Sequence, residues 1–181
     1  MGLKHKMISY AFVIKNFVPV YKKVQILHAQ YGKVLCVYPQ KHQGALLTTG
    51  SVILCQIEPF NRAYRFEYLE IVRSTNCVDV MQLQFIHEIM LICLKFIPNN
   101  VAVSDIVEFL LYLYRDIDNV SSQGKNIALL RLFLLCGLLP ETQELYRIAM
   151  QDPYGKIVHD DQLLQRYVQF GWDQLVDQGL L

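Results

Sequence analysis

Between Tyr21 and Arg65 the chain interleaves cations with flat rings. Lys22, Lys23, Lys33, Lys41 with His42, Arg62 and Arg65 stand close to Tyr21, Tyr31, Tyr38 and Tyr64, and Lys15 lies just upstream. Phosphates along a strand need cations set along a groove, and unpaired bases need rings on which to stack, so these residue types together supply both halves of single-strand recognition. Lysines also fall on the outside of any small domain and tyrosines are common half-buried strand residues. The weight of the pattern therefore comes from its distribution. Residues 1–75 hold ten Lys and Arg against three acids, whereas the rest of the chain holds seven against thirteen. A basic half joined to an acidic half suggests two jobs, with phosphate contact assigned to the basic one.

Other chemistry is looked for and not found. "QGKN" at 123–126 lacks the spaced first glycine and the Ser or Thr after lysine that a phosphate-binding loop requires. His87-Glu88 opens like a zinc-protease helix, but Leu91 stands where the second histidine belongs, which leaves a surface pair. Cys36, Cys55, Cys77, Cys93 and Cys136 are odd in number and widely spaced, with neither a C-x-x-C pair nor a histidine at ligand spacing. They read as reduced thiols, and neither a metal nor another cofactor is expected. No G-x-S-x-G stretch occurs, and a hydrolase would have to gather its nucleophile from distant residues.

The elements that must carry the cations follow from hydrophobic period. Five short runs rich in β-branched and aromatic residues, "MISYAFVIK", "VYKKVQILHA", "KVLCVY", "GSVILCQIE" and "YRFEYLEIV", are separated by turn signals and suggest a small closed barrel. In the last run Tyr64, Phe66 and Tyr68 are expected on one face and Arg65, Glu67 and Leu69 on the other. From Asp79 the spacing turns helical. Asp79 and Gln82 form a capping box before a helix that Pro98 stops, and Ser104 caps a second helix ending near residues 118–124. A third helix is expected over 127–138, a fourth opened by Pro140 as a first-turn proline, and a fifth over 161–176. The expected division is a barrel over 1–76 and a helical bundle over 77–181, an α+β chain.

Hydrophobic residues make up 53% of the 181 and the mean hydropathy is +0.23, yet no apolar run approaches the roughly 18 residues of a spanning helix. Lys15 interrupts the apolar stretch after Lys4, His5 and Lys6, and no small-residue cleavage site follows. A cytoplasmic protein with no membrane contact is the expectation. The stretch "LLCGLLPETQELYRI" (134–148) reads as a joint in which one helix closes around Gly137 and another opens after it.

A basic five-stranded barrel followed by an apolar helical bundle resembles the RecO family of recombination mediators. "YKKVQILHAQYGKVLCVYPQ" (21–40) is similar to that family's early barrel, and "GALLTTGSVILCQIEPFNRAYRFEYLEIV" (44–72) to the segment that follows it. "IALLRLFLLCGLLPETQEL" (127–145) resembles its leucine-rich helix ending in glycine. The likeness spans roughly residues 8 to 150 and rests on loose patterns. It departs where many members carry a zinc-binding cysteine cluster, since Tyr146-Arg147-Ile148 stands there, and where the loop after the third strand shrinks to "PQKHQG".

The resemblance implies an OB-fold barrel, binding of single- and double-stranded DNA, strand annealing or recombinase loading in DNA repair, and RecR and single-strand-binding protein as partners. It implies no catalytic residues. The nucleic-acid-binding candidates are Lys15, Lys22, Lys23, Lys33, Lys41, Arg62 and Arg65, with Tyr64 for stacking. The competing expectation is a protein-interaction module in which the barrel's cations meet acidic partner segments and DNA is not bound.

Overall fold

Strand formation follows the five apolar runs. In the computed structural model, which describes residues 8–17, 23–37, 47–75, 79–155, 160–177 and 179, they become β1 (Ser9–Asn16), β2 (Lys23–His28), β3 (Gly32–Val37), β4 (Val52–Phe60) and β5 (Ala63–Arg73). The strands close into a barrel in the order β1-β2-β3-β5-β4. All neighbours are antiparallel except β3 and β5, which run parallel and, among the described residues, pair at Cys36–Tyr64 and Val37–Arg65. This is the five-stranded OB-fold barrel.

The barrel interior is filled by Val13, Val24, Ile26, Cys36, Ile53 and Phe66, among others. Burying each large aliphatic or aromatic side chain contributes roughly 1.5–3 kcal/mol. β1 is buried on both faces from Ala11 to Ile14, and the helix that follows the barrel packs against it. The expected alternation in β5 holds only in part. Tyr64 packs on the core and Phe66 is buried, but a register shift opposite Gln56 and Ile57 turns Tyr68 outward with Glu67 and brings Leu69 and Ile71 in. A bulge inserts one residue, and one residue is enough to exchange the faces of a strand.

Among the described residues five α-helices follow the barrel: α1 (Val80–Phe96), α2 (Ser104–Tyr114), α3 (Ser122–Leu135), α4 (Gln143–Ala149) and α5 (Asp161–Asp177). The Asp79 carboxylate accepts from the N–H groups of Met81 and Gln82 and so starts α1. α2 begins at Ser104 and stops at Tyr114, short of the expected end, where a 3-10 turn (Ile117–Asn119) intervenes. Ser121 then caps α3 by accepting from Gly124 N, which places the start of this helix before Ile127.

Two compact units divide at Glu108/Phe109, within α2, whereas the expected boundary lay at 76/77. The first unit keeps α1 because the segment after it is pinned to the β2–β3 turn. Asn100 N donates to Lys33 O (3.2 Å), Val103 N to Ala29 O (2.9 Å), and Lys33 and Asn99 form a strand-like bridge. Within the second unit, α3 packs on α4 and α5, and the Phe133 ring meets Trp172 edge-on at 5.5 Å.

The joint at 134–148 has the expected glycine and a different opener. Gly137 adopts φ +71°, its N–H bonds Leu134 O, and Leu138 N bonds Phe133 O, which is a Schellman closure of α3. Pro140 does not sit in the first turn of α4. Thr142 caps that helix instead, its hydroxyl accepting from Leu145 N at 3.3 Å. A hydroxyl cap satisfies an orphan N–H that proline, which only removes a donor of its own, leaves unpaired. Among the described residues no helix is long and apolar enough to cross a membrane.

Candidate nucleic-acid interface

Strand register decides which of the cations share a surface. Lys23 pairs with Val37 across β2 and β3, and Val37 pairs with Arg65 across β3 and β5, so the three form one row at one end of the barrel. Cross-strand partners project to the same side of a sheet, and adjacent strands lie about 4.8 Å apart, which puts the Lys23 and Arg65 backbones about 10 Å from each other. Lys15, at the close of β1, pairs with Gln25, two residues from Lys23, and exposed Arg62 sits in the β4–β5 turn, three residues before Arg65. Lys15 is exposed, with its ammonium 5.3 Å from the centre of the Phe17 ring. Lys22 and Lys41 lie outside the described residues.

The cations are not equally available. Arg65 lies between two carboxylates: it bonds Glu58 through Nη2 and Glu67 through Nε (3.1 Å), and its guanidinium sits 5.3 Å from the centre of the Phe60 ring. The hydrogen bond it donates to Glu58 leads the influences that raise its pKa. Its charge is already met by protein. Lys23 and Arg62 have no carboxylate partner among the described residues.

Lys33 corrects the sequence expectation more sharply. It is buried at 8% exposure, and its Nζ donates to Leu94 O at 2.5 Å. Leu94 lies in the last turn of α1, where carbonyls lack intrahelical partners and the helix dipole favours a cation. Burial lowers the pKa of this lysine. Lys33 is therefore the C-terminal cap of a helix and not part of a surface for phosphate. Lys33→Met is expected to lower stability by about 1–2 kcal/mol, read by chemical denaturation, because it removes a charge-assisted bond and leaves a half-buried helix-end carbonyl without that partner.

Tyr64, the residue expected to stack on bases, is half-buried against the barrel core. Its ring instead meets Tyr31 at 5.3 Å, and Tyr31 meets His28 at 4.9 Å. His28 is buried, and its two ring nitrogens are engaged: Gln30 N donates to Nδ1 (3.2 Å), so Nε2 carries the proton and donates to Ser9 Oγ (2.5 Å). Burial pushes its pKa down to about 4. Sequence pattern had no means of finding this histidine, since only packing distinguishes it from a surface one.

Elsewhere the described residues offer little for other chemistry. Cys36, Cys55, Cys93 and Cys136 form no disulfide, and burial pushes the thiols of Cys55 and Cys136 up to about 12 and that of Cys36 higher still. Such thiols are poor nucleophiles. No group of three or more His, Cys, Asp or Glu among the described residues is placed to hold a metal ion. His87 is exposed beside Glu88, which accepts from Gln84 Nε2 at 3.3 Å. Neither the known protein-family models nor the curated proteins give a match to this sequence.

Proposed function

We propose that this chain is a DNA-binding recombination mediator of the RecO kind, acting by binding and presenting strands and not by making or breaking bonds. The observation that supports it is the placement of Lys15, Lys23 and Arg62 on an OB barrel, at the close of β1, the start of β2 and the β4–β5 turn. OB barrels take oligonucleotides on the β2–β3 face between the β1–β2 and β4–β5 connections. Annealing or recombinase loading, engagement of RecR and single-strand-binding protein by the helices, and a cytoplasmic setting that keeps the cysteines reduced belong to the same proposal.

A second reading rests on Arg65. Its neutralisation by Glu58 and Glu67, with Glu70 further along β5, makes part of the outer barrel face a poor place for phosphate and suits a protein partner. Salt dependence separates the two. If Lys15, Lys23 and Arg62 meet phosphates of a single strand, log affinity falls with log salt at a slope of about −2, and of about −3.5 if Lys22 and Lys41 join them. The double variant Lys23→Glu/Arg62→Glu is expected to bind an oligothymidylate at least roughly tenfold more weakly in fluorescence anisotropy, with an unchanged unfolding curve. A slope near zero, or full affinity in the double variant, would leave the protein-docking module as the better account.

A further inference from the structure

Several rings are exposed on the barrel, and their surroundings separate them. Tyr68 donates its hydroxyl to Glu70 (2.5 Å), and Tyr10 shares a cross-strand row with Leu54 and that same Glu70. Phe60 is already covered by the Arg65 guanidinium. Tyr31 differs from all three: it is 37% exposed, its chain neighbours are Gln30 and Gly32, and the rings that flank it are uncharged.

The setting of Tyr31 is that of a platform. His28 and Tyr64 support its ring at 4.9 and 5.3 Å, but at tilts of 44° and 45°, so neither lies flat on it. Its backbone is held on both sides by the bonds from Val103 N to Ala29 O and from Asn100 N to Lys33 O. Through Tyr64, whose backbone is two residues from Arg62, the ring is linked to the β4–β5 turn that carries that cation. Fixed rings at strand ends beside a cationic groove hold unpaired bases, because every base has a face to stack and a paired base has none to give.

We infer that Tyr31, and not Tyr64, is the ring on which an unpaired base stacks, and that it makes this chain prefer single-stranded nucleic acid to duplex. The inference rests on the nucleic-acid reading above. Tyr64 and His28 act behind it as positioning residues that keep the ring upright.

The full chain and its Tyr31→Leu and Tyr31→Phe variants test this by anisotropy on a labelled oligothymidylate and on a duplex of equal length. Tyr31→Leu is expected to weaken single-strand binding by roughly tenfold while duplex affinity moves by less than about twofold, and Tyr31→Phe to stay within about twofold on both. Equal losses on both ligands would mean a structural role, and a loss in Tyr31→Phe matching that in Tyr31→Leu would mean the hydroxyl acts and not the ring; either overturns the inference. If Tyr31→Leu binds as wild type while Lys23→Glu/Arg62→Glu is weakened, the stacking assignment fails and the binding proposal stands. If the wild type binds neither ligand, both fail together.

Discussion

Gly32→Ala is expected to cost the first unit roughly 3 kcal/mol or more, the sum of a strained backbone and broken tertiary bonds. Gly32 sits at φ +67°, where a side chain is disfavoured by about 1 kcal/mol. A Cβ there would stand 1.8 Å from Val101 O and 2.7 Å from Val101 C, both backbone atoms that no rotamer change can move aside. Relief requires lifting 99–103 off the β2–β3 turn, at the expense of the Asn100–Lys33 and Val103–Ala29 bonds, each contributing about 1 kcal/mol. Gly137→Ala is the control. Its φ is +71°, but a Cβ there meets nothing within 4 Å, so only the backbone cost of about 1 kcal/mol applies. Amide exchange in β2 and β3 reads the barrel, and fluorescence of Trp172, the single tryptophan, reads the helical unit. Equal behaviour of the two alanine variants would refute the close approach at Val101.

His28 makes the barrel acid-sensitive over a defined range. Its pKa is about 4 in the folded protein and near 6.5 when the chain is unfolded. Above pH 6.5 both states hold the neutral ring and the histidine contributes no pH dependence. Between 6.5 and 4 the unfolded chain takes up a proton that the native barrel refuses, so stability falls as pH falls, and below about 4 the loss stops growing. The full drop amounts to roughly 3 kcal/mol. The structural cause is that Nδ1 cannot both accept from Gln30 N and carry a proton. His28→Phe removes the titration, so its difference from wild type in denaturation midpoint is expected to shrink steadily from pH 7 to pH 4. A difference that stays constant over that range would mean that His28 is solvated in the native state.

The five strands were legible because β-branched and aromatic runs broken by Asn-Arg, Tyr-Gly and proline segments leave the local chain few alternatives. The cap at Asp79 and the glycine at 137 work within a single turn of helix, and local rules suffice for local bonds. The Tyr68 face was misread because a bulge depends on the partner strand, which one strand's pattern does not contain. Of the eight candidate contact residues, Lys33 and Tyr64 turned inward and Arg65 found two carboxylates. Cation counts distinguish none of these from Lys23 or Arg62.

By itself the sequence determined a basic strand-rich half, an apolar helical half and the places where the chain must turn, since these depend on residue type and spacing within a few positions. The tertiary structure alone decided that β3 meets β5 to close the barrel, that α1 goes with the barrel and takes Lys33 as its cap, and that Tyr31 and not Tyr64 keeps an open ring. The physical reason is that charge availability and ring exposure are set by neighbours distant in sequence. Glu58 lies seven residues from Arg65, and Leu94 sixty-one from Lys33.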